Sequence, residues 1–557
     1  MPDLKSSLAR TQKMYMELDI RWQALVILTA LTFLLTILYS PYLDYDVANY
    51  LTIGQMIEQG DVPFVNIIDT NPPTIMYISF IPAWVASTTG ISLLASALLF
   101  FYLLVIASGL FFIACLKVDQ PDIGIPHAGF WLMVWILMSI WIYKLDQFGQ
   151  REHVIFLFLA SFIVLRKARY EGKSVPSRAA VLSGFLVFLV VTMKPHYIIP
   201  LWLVESYYLI VSKKLMRALF APEVYSGLIS GGLYIAHFFI VPGMSDFITY
   251  WIPFFSRGYG AYNYTWQVIF SVYVVLPITW ISLLITGLLA LNLIFSNKKV
   301  LTLESSFMLL GLGSLIVFLI QHKGWFYHSL CFLLSDLLGL IFLVNKRMKV
   351  YTRQSFSVTS NGLQLAFLVF NLLILATLYR PIVENQFLKY KETDLTRTIQ
   401  ALSKPKERIF FISYDIKSTF PDITYTERIS AGRFVTSFPI LFFQSGIPQQ
   451  PVSAKWLIEQ EKYYQTILQD FKKYTPNLVL IDMIDNTIYN YLNYKNFFDT
   501  ILNDYYCIGQ ADTNLVWARS SGSQSMESLK TIIQNLYEQH SLKSVPSCNS
   551  STLEVKK

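Results

Sequence analysis

The sequence predicts an α-helical polytopic membrane protein of about eleven transmembrane helices, followed by a small α/β soluble C-terminal domain. Three observations carry that prediction. Apolar residues make up 54% of the 557-residue chain and charged residues only 14%, too few to cover the surface of several soluble domains. The apolar residues arrive in long blocks, for which a bilayer is the natural solvent, and mean hydropathy is +0.46. From about residue 381 the apolar runs shrink to strand length. The formal charge of +8 would suit a nucleic-acid binder, but the Lys and Arg residues fall between apolar blocks. That placement fits membrane orientation and leaves no basic face for nucleic acid.

The apolar blocks are 22–39, 91–116, 130–143, 154–165, 179–193, 197–211, 225–241, 266–295, 307–320, 330–344 and 363–378. Several are too short to cross a bilayer, so their polar flanks must continue the helix. The first is expected to be a retained span, since no small-residue cleavage site follows it. A twelfth stretch, 74–86, is brief, contains Pro82 and follows the Pro72–Pro73 pair. Charge decides its place. With 74–86 left out, the N-terminal cations, Arg166 to Arg178, Lys213 to Arg217, Lys298–Lys299 and Lys346 to Arg353 all share one side. About nineteen Lys/Arg then face about five in the opposite short loops, a strong positive-inside pattern. The stretch is therefore expected to lie along the outer interface. The N-terminus is then cytoplasmic and the C-terminal domain lies outside, with domains at 1–380 and 381–557.

The tail has strand-like runs at 408–414, 477–483 and 515–518, with a helical stretch at 454–474 between them. Cys115 and Cys331 fall in apolar blocks. Cys507 and Cys548 could form a disulfide if the tail meets an oxidising compartment, and no C-x-x-C metal spacing occurs.

This topology gathers the unusual polar residues on one membrane face, in segments 44–71, 146–153, 194–196, 242–265 and 321–328. The first of these holds Asp44, Asp46, Glu58, Asp61 and Asp69 with no Lys or Arg. A carboxylate at the end of a span, in a partly desolvated cleft, is well placed as a general base. Glu58 and Asp61 read more simply as acids that keep an outer loop wet.

Asp46 stands in a more specific pattern. Tyr50 follows it by four positions, then come Gly54, Gly60, Pro63–Phe64, Asp69, Asn71, Pro72–Pro73 and Tyr77. This segment resembles the first loop of the GT-C membrane glycosyltransferases, and is most similar to the branch that holds the dolichyl-phosphate-mannose and aminoarabinose transferases (glycosyltransferase family 39-like). The resemblance implies many spans, interfacial helices in the first outer loop, an outer soluble domain and transfer of a sugar from a polyprenyl-phosphate-linked donor. It implies an active site at the periplasmic face of a bacterial inner membrane, with a lipid, glycan or protein as acceptor. It also implies an acidic base at Asp46. The family often has Asp-Glu at that position, whereas here Val47 follows and Asp44 precedes, so either aspartate could serve.

The leaving group in such a reaction is a phosphate, which needs cations. Arg151 and His153 in the QREH run can hold it, Arg151 through bidentate bonds. The plainer alternative is an Arg151–Glu152 pair at the start of the next span. Lys194 and His196 in KPHY, and Lys323, Tyr327 and His328 in HKGWFYH, are the other candidates for phosphate or sugar contact. The plainer alternatives are snorkelling lysines and an aromatic belt. A divalent cation could bind among Asp46 and the four histidines of this face, though no two have a metal-ligand spacing, and no cofactor is firmly expected. Asp336 and Glu205 lie inside apolar blocks, where acids are costly, and motivate a rival reading as an ion-coupled transporter. A non-catalytic scaffold is the third reading, but leaves the Asp46 loop without a purpose.

Overall fold

In the computed structural model, residues 20–123, 125–144, 146–271, 280, 283–288, 290–291, 301–351, 356–445, 454–484, 487–519 and 526–544 are described. The chain divides into two compact units. One comprises Met1–Tyr42, Leu98–Ala236 and Asn263–Lys389. The other comprises Leu43–Ala97, His237–Tyr262 and Tyr390–Lys557.

The first unit is helical. Block 154–165 becomes the helix Arg151–Glu171, block 130–143 becomes Ile125–Lys144 and block 307–320 becomes Leu303–Gln321. The polar flanks continue each helix because a backbone amide in hydrocarbon has no partner except the next turn. Among the described residues, five helices are long and apolar enough to cross a membrane: Ile20–Tyr39, Leu93–Asp119, Leu303–Gln321, Phe326–Asn345 and Gln364–Val383. The length and composition of the described residues thus do not confirm the expected number of about eleven. Ser177–Met193 and the 128–142 stretch are apolar but shorter, and most of block 266–295 lies outside the described residues. Leu303–Gln321 packs on Leu330–Tyr351, and Ile20–Tyr39 lies against Ile125–Lys144 and Phe356–Val383. Phe318 and Phe332 meet edge to face at 5.7 Å within a buried cluster that includes Ile269 and Leu333.

At one end of this unit the basic residues are paired. The Arg166 guanidinium donates to both Glu205 oxygens, at 2.6 and 2.7 Å, and to Glu223 at 3.1 Å, while Arg169 reaches Glu223 at 2.8 Å. Tyr170 donates to Glu205 at 2.7 Å. Glu205, one of the two acids behind the transporter reading, is thus tied into a fixed ion-pair network. Asp336, the other, accepts from Thr286 at 2.8 Å and packs where a side chain at position 311 would stand, so Gly311 makes room for it.

The second unit is α/β. Strands β1 (Arg408–Ile412), β2 (Ile429–Ser430), β3 (Leu478–Asp482), β4 (Tyr506–Ala511) and β5 (Asn514–Ala518) form one sheet in the order β2-β1-β3-β5-β4. β1 runs parallel to β2 and β3, and β5 runs antiparallel to β3 and β4. Five successive residues of β3 are buried, as expected of a central strand covered on both faces. The helix Ala454–Tyr474 matches the expected 454–474 stretch. Cys507 is disulfide-bonded, Cys548 lies outside the described residues, and Cys115 and Cys331 are buried free thiols.

Candidate active site

The first-loop residues are built into the second unit. Asp44 is the N-cap of the helix Tyr45–Glu58, and its Oδ1 accepts from the Asp46 amide at 2.9 Å. A carboxylate there satisfies an otherwise orphaned amide and meets the positive end of the helix dipole. Asp46 follows in the first turn, half-buried. Asp69, almost wholly buried, links two parts of the loop. It accepts from the Asn49 side chain at 3.2 Å and from the Asn71 backbone and side chain at 2.8 and 2.6 Å. That turn delivers Pro72 and Pro73 to the start of the helix Pro73–Thr89, a favoured place for proline because its missing N–H is not needed there. Tyr50 is buried in the same helix as Asp46, and Tyr77 bonds His237 at 3.0 Å.

The glycines of the motif have structural causes. Gly60 has φ +93° just beyond the helix end, where a side chain would be strained. At Gly54 the two helices approach so closely that an added Cβ would run into the Ser79 carbonyl. Gly54→Ala should therefore cost about 1–3 kcal/mol, read as a lower unfolding temperature of the purified protein in detergent. Asp61 is bonded to Arg408 of β1 at 2.6 Å, which gives it a structural role.

The cationic candidates gather in the first unit. Arg151, Glu152 and His153 open the helix Arg151–Glu171 and are all buried. Glu152, fully buried, accepts from the Lys194 ammonium, which also donates to the Gln321 side-chain oxygen at 2.8 Å. His328 Nε2 lies 3.8 Å from the same Glu152 oxygen, and the Lys194 ammonium sits 5.7 Å over the Tyr327 ring. Lys323 donates to Asn263 at 2.7 Å. His153 Nδ1 accepts from the Gly149 amide at 3.2 Å, so one of its nitrogens holds the turn that begins the helix. His196 is exposed on the short turn Pro195–Tyr197.

Burial is the main influence on these cations. It lowers Lys194 to about 8, with Glu152 opposing the shift and Arg151 adding to it. It lowers Lys323 to about 8 as well. Among the described residues no group of three or more His, Cys, Asp or Glu is arranged to hold a metal ion.

Arg151, Lys194, Tyr327 and His328 therefore come together around Glu152, while Asp44, Asp46, Tyr50, Asp69 and Asn71 come together in the other unit. Glu152 belongs to the QREH run already singled out, but its role as the partner of Lys194 was not foreseen, and neither were Gln321 and Asn263 as members. The signal was present, because each outer-side lysine required a polar partner, and Glu152 and Gln321 are polar residues at the ends of apolar blocks.

No family model matches this chain, and no curated protein matches its sequence. Among solved structures, the chain is similar to the crystal structure of ArnT from Cupriavidus metallidurans bound to undecaprenyl phosphate. The likeness has a TM-score of 0.51 at 13% sequence identity and covers 90% of this chain and 99% of that one. The chain thus shares the fold of that ArnT structure over 90% of its length.

Proposed function

We propose that this protein is a GT-C-type glycosyltransferase that moves a single sugar from a polyprenyl-phosphate-linked donor to an acceptor at the periplasmic face of a bacterial inner membrane. The observation that carries the proposal is the buried cluster of Arg151 and Lys194 around Glu152 in a chain with the ArnT fold. ArnT was crystallised with undecaprenyl phosphate, and a lipid phosphate is the kind of anion such a cluster would hold. Segments 1–380 would supply the catalytic part, and 381–557 would cover or guide the acceptor, which is a lipid, glycan or protein. The asymmetry of Lys and Arg supports a cytoplasmic N-terminus and an outer C-terminal domain.

Asp46 would take the proton of an acceptor hydroxyl as that oxygen attacks the anomeric carbon of the donor sugar. The bond from that carbon to the phosphate oxygen breaks, and its electron pair leaves on polyprenyl phosphate. Arg151, Lys194 and Lys323, with hydrogen bonds from Tyr327, His196, His153 and His328, would stabilise the growing negative charge. Asp44 is the weaker candidate for the base, since one of its oxygens already caps the helix on which Asp46 stands. Asp69 and Asn71 would hold the loop in shape, with Tyr50 packed beneath it.

The test is release of polyprenyl phosphate and transfer of labelled sugar by the purified protein in lipid, across a panel of polyprenyl-phosphate sugars. Turnover of one donor supports the proposal. A folded protein that turns over none of them overturns it. A pH profile adds a second check. Lys194 and Lys323, lowered to about 8, are protonated below that pH and neutral above it. The KM for donor is therefore expected to rise as pH rises through about 8, whereas purely structural lysines would leave it flat.

A further inference from the structure

A cavity of about 300 Å3 lies within the second unit, and none of Asp44, Asp46 or Asp69 lines it. Three separate segments build it. The Ile68 amide donates to the Arg433 carbonyl at 2.6 Å, which joins the first loop to the C-terminal domain. Gly243 adds the third segment at φ +83°, packed so closely on Val65 that a Cβ there would overlap its side chain.

The walls are aromatic. Trp251 and Phe434 meet edge to face at 5.9 Å, and Phe434 and Tyr463 do so at 4.8 Å, so the rings are held in place by one another. Tyr250 completes the wall. The charged lining consists of Asp246, Arg433, Glu459 and Lys462, and most of its charge is already balanced. Glu459, buried, accepts from the Tyr250 hydroxyl and lies 3.7 Å from the Arg257 guanidinium. Arg433 is clamped by Asp470 at 2.8 and 3.0 Å, and the Lys462 ammonium stands 3.9 Å over the Tyr250 ring.

A ligand for this cavity must offer a flat apolar face to the rings and hydrogen-bonding groups around its edge. With Asp246 and Glu459 set against Arg433 and Lys462 the lining carries no net charge to attract an anion, and a wholly apolar ligand would strip the remaining water from these charged groups. A pyranose meets both demands, with C–H bonds on its face and hydroxyls on its perimeter. The volume is at the lower end for ligand sites, which suits a binding unit of one or two rings. We infer that this cavity binds an uncharged sugar residue of the acceptor, separate from the donor sugar. Its assignment to the acceptor rests on the transferase reading, but the binding itself does not.

The experiment uses the full chain in lipid nanodiscs and saturation-transfer NMR, with the methyl glycosides of glucose, N-acetylglucosamine and glucuronic acid as probes. Saturation is expected on the ring protons of an uncharged glycoside, with affinity weakened about tenfold in Trp251→Ala and in the shape-preserving Glu459→Gln, and unchanged in Asp46→Asn. Absence of transfer to both uncharged glycosides, tighter binding of the glucuronide, or unaltered binding in both cavity variants would overturn the inference. Glycoside binding without any donor turnover would sink the transferase reading alone. Donor turnover without glycoside binding would sink this site alone.

Discussion

Asp46→Asn is expected to reduce sugar transfer by about 10²- to 10⁴-fold while leaving the protein folded, because general-base catalysis contributes on that scale. The substitution keeps the shape of the side chain and its place in the first helical turn, so the loss would fall on proton transfer. Asp44→Asn should behave differently. Asparagine is as good an N-cap as aspartate, and the bond to the Asp46 amide can persist. Activity should stay within about tenfold of wild type. Asp44→Ala would remove the cap and cost about 1 kcal/mol of stability. Rates of donor turnover and unfolding temperatures for the three variants separate base from cap. Loss of activity in Asp44→Asn with retention in Asp46→Asn would reverse the assignment.

Lys194→Met is expected to have the second large effect, and through two routes. Glu152 is fully buried and accepts from Lys194, so removing the lysine leaves a buried carboxylate with its main partner gone. Breaking a buried pair in this way costs about 3–5 kcal/mol. It also removes a cation proposed to hold the donor phosphate. The double variant Lys194→Met/Glu152→Gln distinguishes the two. Neutralising both partners should restore most of the stability, because no uncompensated charge remains, while the KM for donor stays at least about tenfold higher than wild type. Unfolding temperature in detergent and donor kinetics give the two readouts. A double variant that regains both stability and donor affinity would make Lys194 a scaffold residue only.

Much of the fold was legible because it depends on local pattern. Among the described residues the apolar blocks recur as helices, and short blocks such as 154–165 grow into Arg151–Glu171 for a reason any hydrocarbon-facing backbone shares. β1 and β3 were visible as apolar runs among polar helices. β4 was not, since its sequence YCIGQA is interrupted by Gly509, at φ +139°, where the pairing with β5 slips. β2 is two residues long, too short to leave a pattern.

The first-loop motif was recognisable for a related reason. Gly54, Gly60, Asp69 and Asn71 answer local demands of backbone geometry, namely a close helix approach, a positive φ and a side-chain-bonded turn. Such demands can be met by few residue types, so they leave a readable spacing. The sequence by itself therefore determined the class of protein, the helical blocks, the α/β tail and the loop that carries Asp46. Only the tertiary structure decided the partners: Glu152 for Lys194, Gln321 beside them, and Glu205 in the grip of Arg166. Lys194 is 42 positions from Glu152 and 127 from Gln321. Periodicity records which face of a helix is apolar, but a buried charge chooses its partner by proximity after the helices have packed, and no local pattern encodes that choice.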